Sequence, residues 1–390
     1  MRVLITAVGQ RAEQCGDLGA WLARRTDLEL TLALSDVSSQ TTQTLDRYQR
    51  RWPRLRYVHL PHRPGSLTYR ADALRSLVDT RPDVIHILGE AAHRSTAQTV
   101  RWRARYFPGV PLTLSAAQNV VTRSPFPSRR REQATYGAVD HALPITPAAL
   151  NVLRANGYRG PATVIPPGVD VDRFKPSTGP WPGLVAGPAR SGRFTVGFVG
   201  RLEPHQGLAA LLTAIERLDG DAVIVGHGSL STMVRQAADR RPGRLVVRDC
   251  ADHDELPGLL TRMDVLTLPS VETVRPAVLP WIGAAPPEPF GRPLVEAMAC
   301  GVPVLGSELG EIPQVIGAAG LTFPAGDVDA LTDRLIRLRD NPTLAGRLGR
   351  EGIRRARTEF SWDRVASNMC DIWQRLSSTG LPSSRKVATT

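Results

Sequence analysis

Residues 288–303 read E-P-F-G-R-P-L-V-E-A-M-A-C-G-V-P. Two carboxylates, Glu288 and Glu296, stand eight positions apart, with Phe290, Gly291 and Pro293 between them. Pro293 suits the first turn of a helix, where its missing N–H costs nothing. Gly301 is a C-terminal stop for that helix. Pro303 then leads into a short apolar strand at Val304 and Leu305. Glu288 therefore falls in a loop and Glu296 on the first turns of the helix. The junction offers backbone N–H groups at a helix N-terminus, a ready site for an anion. An anion flanked by two carboxylates makes sense when the ligand also carries hydroxyls, as a sugar phosphate ester does. The same spacing also describes a helix whose acidic residues only complement its dipole. Spacing alone does not choose between the two.

At 390 residues the chain has room for two domains or one large one. Hydrophobic residues make up 42% and charged residues 22%, the balance of a globular, soluble protein. No apolar run reaches the roughly 20 residues that span a bilayer. The first apolar run, at Val3, is too short for a signal peptide and reads as a strand. Cys15, Cys250, Cys300 and Cys370 are scattered, with neither metal spacing nor a disulfide framework. A cytoplasmic location is expected. The formal charge of +12 invites a nucleic-acid reading. However, only two of the 49 basic residues, Lys175 and Lys386, are lysines, so the bias is compositional. The small arginine clusters at 101–105 and 129–131 lack an aromatic stacking platform; an anionic substrate or a membrane surface is open to them, and solvated surface is the plainer reading. No nucleic-acid partner is expected, and peripheral membrane contact is left open without being expected.

Strand and helix patterns alternate through the first half. Strands are expected at 3–7, 28–34, 57–60, 83–88, 110–114, 138–145 and 162–165. Helical spacing falls at 18–25, 69–78 and through Arg105. Thr146 and Pro147 open a further helix as cap and first residue, and Gly157 ends it. A Pro- and Gly-rich break follows. The pattern restarts with strands at 194–199, 222–225, 245–247 and 265–268 and helices at 208–218 and up to about Arg240. Residues 271–287 are rich in Pro and apolar side chains and read as a loop that walls the site. Near the end, Leu331, Leu335 and Leu338 share one helical face, and Val365, Met369, Ile372 and Leu376 another. Repeated strand–helix units imply parallel sheets covered on both faces. The fold class is therefore α/β, with two doubly wound, Rossmann-like domains. Ligands of such sheets bind beyond the C-terminal strand ends, and two domains place the natural site in a cleft. The expected division is 1–170, a linker at 171–192, 193–360, a C-terminal helix at 361–378 and a flexible tail at 379–390.

Several short motifs stand at the strand ends. Residues 194–207 read F-T-V-G-F-V-G-R-L-E-P-H-Q-G, a strand running into Gly200 and Arg201. The glycine permits close backbone approach, and the guanidinium fork suits phosphate oxygens. A surface salt bridge would explain the arginine equally well. Gly226-His227-Gly228 follows the next strand, where glycine also serves a plain turn. In order, the chain carries P-P-G-V-D, V-G-R-L-E-P-x-x-G, V-G-x-G, L-P-S and E-P-F-G-R-P-L-V-E-A-M-A-C-G-V-P-V-L-G-S. This series resembles the retaining nucleotide-sugar glycosyltransferases of glycosyltransferase family 4, which have the GT-B fold. The resemblance is dense from about Gln118 to Trp373 and thinner before it. The E-x7-E signature is met by Glu288 and Glu296.

The resemblance implies a nucleoside diphosphate sugar, UDP- or GDP-linked, as donor, with no cofactor and no metal. It casts Arg201 as the group that neutralises the donor diphosphate, and Glu288 as a ligand of the sugar hydroxyls; these two are the expected catalytic residues. Glu296 would hold the ribose. Gly200, Gln206, Gly226, Phe290, Gly291 and Leu294 would line the donor, with the nucleobase near Arg248 and Cys250. Gly16, Glu90, Gln118 and Asn119 are the acceptor-side candidates, while His86, inside an apolar strand, reads as a core histidine. The helix from Trp362 would cross back to brace the N-terminal domain. Three departures stand out. Gln206 takes the place of a usual lysine, the 271–287 segment is long and Pro-rich, and the N-terminal glycine loop offers only Gly9 and Gly16. The expected activity is transfer to a hydroxyl of a small-molecule, natural-product or lipid-linked acceptor. The alternatives are a non-catalytic sugar-nucleotide binder, for which Gln206 speaks, and a GT-B sugar-nucleotide epimerase, against which E-x7-E speaks.

Overall fold

The first strand shows how the chain builds its layers. Val3, Ile5 and Ala7 pack into one apolar cluster, and Leu4 and Val8 into another. A strand buried on both faces must be apolar at successive positions, as parallel sheets require. The computed structural model describes residues 1–9, 15–25, 27–62, 68–70, 72–121, 125–177, 192–249, 255–272 and 289–378. The expected site residues Glu288 and Cys250, and the segments 273–287 and 379–390, lie outside them. The chain divides into two units, Met1–Pro166 with the residues from Trp362 onward, and Pro167–Ser361.

In the first unit, β1 (Arg2–Val8), α1 (Cys15–Ala23), β2 (Glu29–Ser35), α2 (Ser39–Arg51) and β3 (Leu55–His59) lead to a 3-10 helix at Ala73–Thr80. Then come β4 (Val84–Leu88), α3 (Arg94–Tyr106), β5 (Leu112–Ser115), α4 (Ser128–Ala138), β6 (His141–Ala142) and α5 (Pro147–Ala155). The strands are parallel in the order β3-β2-β1-β4-β5-β6. This is the doubly wound arrangement, with its crossover reversal between β1 and β4. One face is covered by α1 and by the helix Trp362–Ser378, whose Val365, Met369, Ile372 and fully buried Trp373 join the β1–β2 cluster. The Trp373 indole N–H donates to Thr113 Oγ1 at 3.1 Å.

The second unit repeats the plan. It holds β7 (Thr195–Val199), α6 (Leu208–Leu218), β8 (Asp221–Val225), α7 (Ser231–Asp239), β9 (Leu245–Arg248) and α8 (Leu256–Leu260). These are followed by β10 (Val265–Leu268), α9 (Arg292–Ala299), β11 (Val304–Ser307), α10 (Ile312–Ile316) and β12 (Gly320–Phe323). Helices α11 (Val328–Asp340) and α12 (Pro342–Glu359) complete it, and α13 is the helix Trp362–Ser378 of the first unit. The order β12-β11-β10-β7-β8-β9 is the same winding, with the reversal between β7 and β10. Leu331, Leu335 and Leu338 are buried along α11, as their spacing predicts.

Some local expectations fail for identifiable reasons. Residues 69–78 have helical spacing, yet the helix starts only at Ala73 and is 3-10. The Gln98 side-chain amide takes both the N–H and the carbonyl of Tyr69, at 2.9 and 3.0 Å, and removes them from any helix. The long strand expected at 138–145 is β6, only His141–Ala142, because α4 runs to Ala138. Residues 162–165 form a single bridge, Ala162 to Ala142, and no strand. Helices α2 and α12 escape a pattern search. The former buries little beyond Leu45, and three glycines interrupt the apolar spacing of the latter. Two of those glycines serve packing: a Cβ on Gly349 would stand 2.4 Å from the Gly301 carbonyl oxygen, and one on Gly352 3.1 Å from the Met298 Cα.

His86 lies fully buried in β4, with Nδ1 2.8 Å from Thr113 Oγ1 and Nε2 3.3 Å from Ser115 Oγ. Burial lowers its pKa to about 3. The unfolded chain protonates this ring near pH 6.5, so the stability held by the neutral ring is full above that pH. It falls as pH drops toward 3, by up to about 1.4 kcal/mol per pH unit. Thermal unfolding of the natural protein between pH 7.5 and 5 should therefore slope more steeply than that of His86→Gln. Parallel curves would show that the ring is not held neutral.

Candidate functional site

The switch point of the second sheet lies between β7 and β10, and the loops leaving those two strands are stitched together there. After β7 come Gly200, Arg201 and a short 3-10 turn, Pro204–Gln206. Gly207 then adopts φ +69°, and a Cβ built on it would lie 1.8 Å from the Pro269 carbonyl oxygen in the loop after β10. The Val271 N–H donates to the His205 carbonyl at 2.9 Å. On the other side, the β7 and β8 loops approach as closely. A Cβ on Gly226 would stand 1.8 Å from the Gly200 carbonyl oxygen. The Leu202 N–H donates to the His227 carbonyl at 2.9 Å, and the Gly226 N–H to the Arg248 carbonyl at 2.7 Å. Backbone thus packs on backbone across four neighbouring strand ends, and only glycine fits at Gly207 and Gly226.

Arg201 is exposed at this edge, and no carboxylate among the described residues pairs with it. Glu203, which follows it, is engaged elsewhere. Its carboxylate accepts from the Ser229 N–H at 3.2 Å and the Ser229 hydroxyl at 2.7 Å. Those two bonds hold its pKa below the usual carboxylate value, with the nearby Arg201 charge a smaller cause. This clamp between two loops was not singled out in the sequence. Its signal was a carboxylate two positions past the expected phosphate ligand. The buried hydroxyl of Ser270, the last residue of the L-P-S motif just after β10, has no hydrogen-bond partner among the described residues.

Gln206 differs from expectation. Its side chain is only 4% exposed, tucked beneath Gly200, and does not stand open at the edge as a phosphate donor would. Gly291 caps α9 with φ +77°. The start of α9 offers fewer backbone donors than its sequence suggests: Pro293 has no N–H, and the Leu294 N–H is given to the Gly291 carbonyl at 2.9 Å. The Phe290 side chain is buried edge-on against Phe360, 5.6 Å between centroids, so only its backbone can face a ligand. Leu294 is fully buried beneath Gly291. Glu296, on the second turn of α9, is 7% exposed and lies 3.6 Å from the Arg292 guanidinium. Burial pushes the Cys300 thiol up to about 12, with the Glu296 charge a further cause, which leaves it inert as a nucleophile.

In the first unit, Glu90 follows β4 and Gln118 follows the neighbouring β5. The Glu90 carboxylate accepts the Ala117 N–H at 2.9 Å and so joins the loops after β4 and β5. The Gln118 amide donates locally to the Val120 carbonyl at 2.9 Å, and Asn119 is its half-buried neighbour. Gly16 is not a loop glycine: it sits in the first turn of α1, buried. The glycine with left-handed backbone is Gly9, at φ +63°. Among the described residues, no group of three or more His, Cys, Asp or Glu side chains could hold a metal ion. No described helix is long and apolar enough to cross a membrane.

These loops fall inside two family models, "Glycosyltransferase Family 4" over residues 15–173 and "Glycosyl transferases group 1" over 193–341. The chain belongs to glycosyltransferase family 4. Among curated relatives of this family 4 chain is a phosphatidyl-myo-inositol mannosyltransferase of Mycobacterium leprae. It is 34% identical over 56% of this chain and 55% of its own length. A GDP-mannose-dependent monoacylated alpha-(1-6)-phosphatidylinositol monomannoside mannosyltransferase of Corynebacterium glutamicum is 27% identical over 54% of this chain and 55% of its own. The match thus spans about half the length of these relatives. The fold is that of Anabaena HepE, solved in complex with UDP. The TM-score is 0.73 over 96% of this chain and 100% of that one, at 16% identity. Two parallel-sheet Rossmann-like units in one chain make up the GT-B type.

Proposed function

We propose that this family 4 chain is a retaining glycosyltransferase, moving a sugar from a nucleoside diphosphate sugar to an acceptor hydroxyl. The observation that carries the reading is the stitched edge at the β7–β10 switch point, which presents Arg201 beside closely packed backbone. Residues 193–360 would bind the donor and 1–170 the acceptor. A bond forms between the acceptor oxygen and the anomeric carbon, while the bond from that carbon to the diphosphate oxygen breaks. The electron pair leaves with the diphosphate, and the acceptor proton passes to the departing phosphate. Arg201 would offset the charge that builds there. Glu296 would hold the ribose hydroxyls and Glu288 those of the sugar. Both matching family models and the curated relatives above are described as transferases, which supports transfer over epimerisation or mere binding.

The Corynebacterium relative's name makes GDP-mannose the first donor to test and an inositol lipid the first acceptor, with UDP-glucose as the alternative donor. Calorimetry with GDP and UDP should show binding of at least one, unchanged by a chelator. Incubation with the matching sugar nucleotide should then give a glycosylated product. Failure of every nucleoside diphosphate to bind, or binding abolished by chelator, would overturn the proposal.

A further inference from the structure

The first unit carries a cavity of about 300 Å³ that the site above does not use. Four of its lining residues are arginines, Arg70, Arg75, Arg101 and Arg105, and none is a carboxylate. All four are exposed, and no carboxylate among the described residues pairs with any of them. Their neighbour Arg103, on another face of α3, is by contrast 3.6 Å from Asp140 and donates to the Val110 carbonyl at 2.7 Å.

The arginines are held in place rather than scattered. Arg70 follows Tyr69, whose backbone is gripped on both sides by the Gln98 amide of α3. Arg75 stands on the 3-10 helix that buries Leu74 and Leu77. Arg101 and Arg105 lie four residues apart on α3, one turn above the other, an arrangement that is unfavourable for like charges. Trp102 and Leu74, 6% and 7% exposed, give the cavity an apolar floor. The Arg105 guanidinium lies 5.5 Å from the centroid of the Tyr106 ring. Helix α3 runs away from the strand-end edge, so Arg101 and Arg105 sit about 10 and 16 Å beyond its start. The cavity is thus remote from the edge where ligands of such a sheet bind.

We infer that this cavity is a second anion site, which takes a phosphate group borne on a partly apolar body. Four converging guanidinium groups need more negative charge than one carboxylate brings, and their forks match phosphate oxygens. The apolar floor suits the carbon body of a phosphate ester. Two sources share that chemistry, a soluble phosphate monoester and the headgroup of an anionic lipid.

The test uses the full chain, with glycerol 3-phosphate in calorimetry and phosphatidylcholine vesicles, with and without phosphatidic acid, in sedimentation. One of the two probes should bind. Arg101→Gln with Arg105→Gln should weaken that binding at least about tenfold, the worth of one charge-assisted hydrogen bond. The control pair Arg129→Gln with Arg130→Gln should leave it unchanged. Binding of glycerol 3-phosphate identifies the soluble source; binding only to phosphatidic acid vesicles identifies the lipid. If the first pair lowers the melting temperature, Arg75→Gln alone gives the same reading. The inference is overturned if neither probe binds, if removing cavity arginines changes nothing, or if the control pair weakens binding as much.

Discussion

Replacing Arg201 by alanine is expected to slow sugar transfer by about 100- to 1000-fold, the loss seen when one donor aimed at developing charge is removed. The leaving diphosphate gains negative charge as the sugar bond breaks, so a cation beside it stabilises the transition state more than the ground state. Arg201 directly follows Gly200 at the end of β7, exposed, while the Glu203 carboxylate is turned to Ser229. Gln206, where the family usually has a lysine, brings no charge and is buried. The load on Arg201 should therefore be heavier here than where both cations are present. Turnover should fall much further than nucleotide affinity, and Arg201→Lys should recover part of it. A rate for Arg201→Ala within a few-fold of the natural protein would remove this residue from the reaction.

Gly207→Ala should be among the most damaging single-methyl changes in the second unit. Two costs add. A left-handed backbone at φ +69° costs alanine about 1–2 kcal/mol. Overpacking against the Pro269 carbonyl, 1.8 Å from the new Cβ, adds about 1–3 kcal/mol more. Gly243→Ala separates the two effects. Its φ of +72° is nearly the same, but nothing lies within 4 Å of its Cβ. Calorimetric melting should show a clearly larger loss for Gly207→Ala, accompanied by loss of nucleotide binding as the β7 and β10 loops part. Equal losses for the two variants would mean that the stitched loops have no part in stability.

Most of the second unit was legible in the linear sequence because its signals are local. The Leu208–Leu218 helix and the Val265–Leu268 strand have the bounds that apolar spacing predicts, with Gly207 before the helix and Pro269 after the strand. Where a signal depended on a distant partner, it misled. The helical spacing after Tyr69 lost to the Gln98 amide 29 residues away. The long strand expected from 138 shrank to β6 because α4 claims Ala138.

The sequence by itself determined the doubly wound plan, the family, and the identity of Arg201 and Glu296 as site candidates. Periodicity, turn residues and short motifs are properties of neighbours along the chain. Tertiary structure alone decided which of these groups stand open and which are enclosed. It buried Gln206 beneath Gly200, turned Glu203 toward Ser229, and used up a backbone donor at the start of α9. It also gathered Arg70, Arg75, Arg101 and Arg105 around one cavity, although β4 separates the first two from α3 in sequence. Burial and the convergence of charges are set by residues far apart in the chain, and only the packed fold brings those together.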